Sequence, residues 1–124
     1  TPEAARAGVL PAAPFSAAAL ADARAAGKPV FAYFTADWCL TCKVNERMVL
    51  GTPEIAAGFA RYGVIPMKAD WTTRNPAIGD FLAEHGRYGI PFYLLYRPGR
   101  EPHVFGELLT REGVLAVLAD AAAR

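Results

Sequence analysis

Cys39 and Cys42 are the two cysteines of the chain, and they stand three positions apart in the stretch TADWCLTCKVNE at residues 35–46. A pair at that spacing supports three kinds of chemistry: a structural crosslink, half of a zinc site, or a dithiol that exchanges with disulfides of other molecules. A crosslink closing so short a loop removes little unfolded-chain entropy and therefore adds little stability. Zinc asks for about four ligands, and the chain's histidines, His85 and His103, lack the usual spacing; they read as a helix end and a strand surface, and no metal is expected. Exchange needs only what the segment supplies. At a helix N-terminus the Cys39 sulfur lies near unpaired backbone N–H groups and the positive end of the helix dipole, which favours the nucleophilic thiolate. Cys42, nearly one turn later, can attack a mixed disulfide formed on Cys39 and release the partner reduced. Leu40 and Thr41 between them carry no charge and no histidine. A moderate potential, about −270 to −180 mV rather than the about −120 mV of a strong oxidant, is therefore expected.

The surrounding elements must hold that pair where a strand hands over to a helix. VFAYFT (30–35) is short, apolar and aromatic without clean alternation, as a central strand covered on both faces would be. A helix is expected over 39–50, with Leu40, Val44, Met48 and Cys39 spaced for a buried stripe. Ser16 caps an Ala-rich helix over about 16–26 that stops at Gly27, and Thr52 with Pro53 starts another. GVIPMKADW (63–71) reads as a second apolar strand in which Pro66 marks an edge or a bulge. Asn75 and Pro76 open a helix closed by Gly86. PFYLLYRPGREPHVF reads as two strands around a turn at Pro98–Glu101, and Thr110 caps the last helix. The order α, β, α, α, β, α, β, β, α gives an α/β fold, a mixed central β-sheet with helices on both faces.

Composition narrows the class. A chain of 124 residues fits one domain that buries roughly two-thirds of its unfolded surface, so it folds without staples. The net charge of +1 lacks the clustered basic footprint of a nucleic-acid or anionic-membrane binder. No run of about eighteen apolar residues spans a bilayer, and the start lacks the layout of a signal peptide. Residues 1–14, rich in Ala and Pro, read as a linker or N-terminal extension cut from a longer protein, and 15–124 as the domain.

KPVFAYFTADWCLTCK, followed about fifty residues later by GIPFYLLY, resembles a thioredoxin fold with its W-C-x-x-C motif and Ile-Pro loop. More closely, ADWCLTCKVNE, KADWT and GRYGIPFYLLY are similar to the C-terminal periplasmic domain of the bacterial membrane thiol:disulfide interchange reductases, the DsbD family, including its copper-resistance relatives of the ScsB type. The likeness covers about Phe15 to Ala122. It implies a thiol-disulfide oxidoreductase domain that takes electrons from a transmembrane domain of the same full-length protein and passes them to periplasmic protein partners. The domain by itself is expected to be monomeric and to bind no cofactor and no nucleic acid. The alternatives are a free periplasmic thioredoxin-like oxidase or isomerase and a non-catalytic thioredoxin-like binding module.

Carried over by residue, the resemblance makes Cys39 the attacking cysteine, Cys42 the resolving one and Pro91 the cis-proline beside the disulfide. Glu46 matches an acidic residue near the family's active site. Its helical spacing puts it on the same face as Cys42, where it would oppose thiolate formation and could relay a proton, unless it is an ordinary solvated charge. Trp38 and Tyr88 are expected to wall the partner groove, and a cis Pro91 to expose the Ile90 backbone for pairing with an extended partner segment. One departure stands out: the position where many relatives bury an aspartate falls on Tyr33, which is no carboxylate base at neutral pH. Asp37 is expected to cap the helix or face solvent, and Trp71 to sit in the core. Cys39 is expected to be the more exposed sulfur.

Overall fold

The computed structural model describes residues 12–122. Residues 1–11, most of the segment read as a linker, lie outside them. In chain order the elements are β1 (Ala13–Pro14), α1 (Ala17–Ala25), β2 (Val30–Thr35), α2 (Leu40–Asn45), a π-helical turn (Glu46–Leu50) that continues α2, α3 (Pro53–Tyr62), β3 (Ile65–Asp70), α4 (Pro76–Glu84), β4 (Phe92–Tyr96), β5 (His103–Val104) and α5 (Arg111–Ala122). The helix starts follow local side-chain chemistry: Ser16 Oγ accepts the Ala19 N–H at 3.0 Å, Asn75 Oδ1 that of Ala77 at 2.8 Å, and Thr110 Oγ1 that of Gly113 at 3.0 Å. Each satisfies a donor that a helix N-terminus leaves open. α1 and α4 stop at Gly27 and Gly86, whose φ values of +74° and +70° are left-handed and cost glycine nothing.

The sheet order is β1-β3-β2-β4-β5. β3 runs parallel to both β1 and β2, while β4 is antiparallel to β2 and β5 to β4. β2 is therefore central, and all six of its residues are buried. Alternation sorts them to two cores. Phe31 and Tyr33, with Tyr93 and Leu95 of β4, pack against Ile55 and Phe59 of α3 and Val114 and Leu118 of α5. Val30, Ala32 and Phe34, with Phe92 and Leu94, pack against Leu20 and Ala23 of α1 and Leu82 of α4.

Two differences from the sequence reading have physical reasons. Ala13 and Pro14, assigned to the linker, pair with Met67 and Lys68. That pairing also explains Pro66: β1 reaches only as far as Met67, so β3 is an edge at the proline, where a missing N–H costs no ladder bond. The expected buried stripe of α2 is the largest correction. Leu40, Val44 and Met48 are 78%, 48% and 58% exposed, and the residues turned inward are Cys42, Asn45, Val49 and Leu50. Leu40 and Cys42 stand about 200° apart around a helix axis, so a helix that buries one must expose the other.

Candidate active site

The chain leaves β2 at Thr35, turns through Ala36–Trp38 and enters α2 with Cys39 as its N-cap residue. Cys39 and Cys42 are joined as a disulfide with their Cα atoms 5.2 Å apart. The two sulfurs are not equivalent. Cys39 is 8% exposed and Cys42 fully buried, because the first stands at the helix tip and the second one turn inside. Cys39 Sγ accepts the backbone N–H of Cys42 at 3.2 Å, the type of contact that stabilises a thiolate there once the bond opens. Cys42 Sγ lies 3.9 Å from the carbonyl oxygen of Phe34. In the disulfide it has no proton to give, but a reduced Cys42 thiol can donate to that oxygen, which favours the neutral form of the inner sulfur.

Glu46 sits at the junction between α2 and the π turn and reaches back to β2, where Thr35 Oγ1 donates to its Oε2 at 2.5 Å. Lys43 Nζ donates to Oε1 at 3.0 Å and stands 4.0 Å from Asp37. The carboxylate is thus tied to the residue that follows Phe34, whose carbonyl faces Cys42. Tyr33, at the position where an acid was expected by resemblance, is buried. Desolvation above all, then the charge of Glu46, pushes its phenol far above the ordinary 10.0, so it stays neutral at any physiological pH. The carboxylate attached to this part of β2 is that of Glu46.

Asn45 is the residue that sequence reasoning missed. It is buried, and its Nδ2 donates to the Tyr93 hydroxyl at 2.8 Å and the Glu107 carbonyl at 2.7 Å, while its Oδ1 accepts the Leu109 N–H at 3.2 Å. These bonds lock the rotation of α2 onto β4 and the loop before α5. A lone polar residue inside a helical run gives no local sign of such partners, which come from residues 48 to 64 positions away. Burial pushes the Tyr93 phenol up to about 12.

Around the disulfide, Ile90 packs with Ala36, Cys39 and Cys42. The Ile90–Pro91 peptide is cis and Pro91 is buried. Ile90's own backbone N–H and C=O find no partner among the described residues. Tyr88 is 85% exposed. Trp38 is half-exposed, with its indole Nε1–H donating to the Thr72 carbonyl at 2.9 Å, its ring 6.2 Å from that of Trp71, and the Arg74 guanidinium 4.5 Å above it and 5.1 Å above Trp71. Trp71 is therefore a support for the rim, and Thr72 and Arg74 join the site unforeseen. Asp37 faces solvent, and its N–H donates to Thr72 Oγ1 at 2.9 Å. The His85 ring lies tilted against that of Phe81, and His103 meets Phe105 edge to face, each at 4.6 Å.

A disulfide whose first cysteine is slightly accessible and whose second is sealed, a cis-proline loop beside them and a mixed sheet between helices together define a thioredoxin-type redox domain. The profile of the thioredoxin-like family matches residues 12–98, and the chain belongs to that family. It is a DsbD-like member: it is 41% identical over 95 residues to thiol:disulfide interchange protein DsbD 1 of Pseudomonas aeruginosa, covering 73% of this chain and 16% of that protein. With DsbD 2 of the same organism the identity is 36% over 72 residues, 58% of this chain and 11% of the relative. The chain thus spans about a sixth or less of the length of these relatives. The crystal structure of the oxidised C-terminal domain of Neisseria meningitidis DsbD shares the fold, with a TM-score of 0.69 at 23% identity over 90% of this chain and 99% of that one.

Proposed function

We propose that the chain is a protein-disulfide reductase domain that works through the Cys39–Cys42 dithiol. The observation that carries the reading is the asymmetry of the pair, one cysteine at the helix tip with 8% of its surface exposed and the other fully buried. In the reduced state the Cys39 thiolate attacks one sulfur of a partner disulfide. A Cys39–partner bond forms, and the partner's other sulfur leaves as a thiolate that takes up a proton. Cys42 then loses its proton and attacks Cys39 Sγ, which closes the intramolecular disulfide and frees the second partner thiol. Two electrons pass to the partner, and the state left behind is the oxidised one seen here.

Glu46 is the acceptor for the Cys42 proton in this scheme, a role its spacing and its tie to Thr35 support. Trp38, Tyr88 and Ile90 wall the partner's approach, and Pro91 completes the loop. The unpartnered backbone of Ile90 is suited to pair with an extended partner segment. The likeness to DsbD proteins supports a longer chain of events: a transmembrane domain of the full-length protein re-reduces the dithiol, and the domain acts in the periplasm as part of an inner-membrane protein. Among the described residues no helix is long and apolar enough to cross a membrane, so the electrons would come from a separate region.

Reduction of insulin disulfides, followed by turbidity with dithiothreitol as donor, tests the reading. Wild type is expected to accelerate it, and Cys39→Ser to lose the acceleration by about a hundredfold or more. Equal rates would leave a binding module rather than a reductase. Alkylation of the reduced protein should label Cys39 before Cys42.

A further inference from the structure

Among the described residues, nothing covers the apolar ridge of the redox helix. Seven large hydrophobic side chains among the described residues are exposed, and Trp38, Leu40, Val44 and Met48 account for four of them. They are therefore a patch rather than the scattered single residues that any surface carries. Leu40, Val44 and Met48 recur every four residues, so they form one ridge that starts beside Cys39 and extends about 12 Å from it along the helix. The helix cannot roll to bury them. Asn45 is held by three hydrogen bonds across the core, and Glu46 by Thr35. Trp38 cannot fold over them either, because Thr72 holds its indole N–H and Arg74 covers its face.

We propose that Leu40, Val44 and Met48 form a docking surface for apolar residues flanking a partner protein's disulfide, so that the domain selects disulfides bordered by apolar side chains. The proposal rests on the reductase reading, and it extends the groove beyond Trp38, Tyr88 and Ile90. Continuity identifies the occupant: any molecule whose sulfur reaches Cys39 in line must also lie on Leu40, the next residue, and a partner long enough to do so meets Val44 and Met48 in turn. Charge favours a protein over a lipid surface. The Lys43 ammonium beside the ridge is already engaged by Glu46, which leaves Arg47 as the bordering cation, and the chain as a whole carries only +1, short of the basic footprint that anionic lipid attracts.

Two synthetic peptides test this, each with one cystine loop, one flanked by leucines and one by serines at the same positions. Wild-type protein is expected to reduce the leucine peptide about tenfold better in kcat/KM, equivalent to about 1.4 kcal/mol, and the Val44→Ser/Met48→Ser variant to bring that ratio close to one. Leu40 is left in place because it lies between the cysteines. If the double variant's Tm falls, Val44→Thr/Met48→Gln takes its place. A wild-type ratio near one, or a ratio that survives both double variants, overturns the proposal while leaving the reductase reading intact. Failure of wild type to reduce either peptide overturns the reductase reading and this proposal with it. Cosedimentation of wild type, but not the variant, with vesicles of phosphatidylcholine and phosphatidylglycerol would reassign the ridge to a membrane and likewise overturn it.

Discussion

The two faces of the helix that carries the cysteines depart from the usual distribution of polarity, with an asparagine buried beside Cys42, Val49 and Leu50 and three apolar residues exposed. Its inward face holds Asn45, which is buried and bonded to Tyr93, Glu107 and Leu109, and leads through Glu46 to a second polar tie at Thr35. Its outward face presents leucine, valine and methionine to solvent. A burial argument from side-chain apolarity alone chooses the wrong face. What decides the rotation is the set of partners each face can reach. A buried asparagine left without partners costs about as much as burying one of the apolar residues would gain, whereas one with all its bonds made costs little. Burying the ridge instead would unmake every bond of Asn45 and pull Cys42 away from β2.

The comparison can be broken most forcefully from the inside. Asn45→Ala strands the Tyr93 hydroxyl, the Glu107 carbonyl and the Leu109 N–H, and is expected to cost about 2–3 kcal/mol in urea unfolding; a loss below half of that would mean that packing alone sets the helix rotation. The next effect is a pH dependence. The Tyr93 phenol is raised from 10.0 to about 12 in the folded chain by burial. Below pH 10 both states keep the proton and the full stability is present. Above it the unfolded chain ionises first, so stability falls through the range up to about 12. Tyr93→Phe is expected to remove on the order of 1 kcal/mol of that fall between pH 9 and 11, while Tyr96, raised for the same reason, keeps its share.

Glu46→Gln sharpens the comparison at the site itself. It removes a negative neighbour and frees Lys43 from its ion pair, and both changes favour thiolate. The apparent pKa of the Cys39 thiol, read from the rate of alkylation against pH, is expected to fall by about half a unit. An unchanged titration would class Glu46 as a support for Thr35 and nothing more. The smallest effect belongs to the outer face. Val44→Ser is expected to change unfolding free energy by no more than about 0.5 kcal/mol, since the side chain makes no core contact to lose. A loss above about 1.5 kcal/mol would show that the ridge is packed after all.

Much of the fold was open to local reading. Ser16, Thr52, Asn75 and Thr110 are caps because a short polar side chain before a helical run can reach only the backbone just ahead of it. β2 was recognisable as central because six consecutive buried positions need cover on both faces. The spacing of the cysteines left three chemistries open, and the short loop, the lack of well-spaced zinc ligands and the expected helix N-terminus assigned the pair to redox exchange, all from the sequence. β1 was not legible. Two residues of alanine and proline carry no strand pattern, and only β3, more than fifty positions later, gives them a ladder.

The sequence by itself determined what depends on neighbours along the chain: the caps, the glycine stops, the central apolar strand and a helix that begins at Cys39. Tertiary structure alone decided which way that helix faces, that Thr35 holds Glu46, and that Trp38 stands fixed between Thr72 and Arg74. The reason is one of range. A helical repeat repeats on every side of the axis, so periodicity specifies a stripe without specifying what meets it. Contacts spanning 34 to 64 positions of sequence settle that, and here they turned Asn45 inward and left Leu40, Val44 and Met48 exposed beside the reactive sulfur.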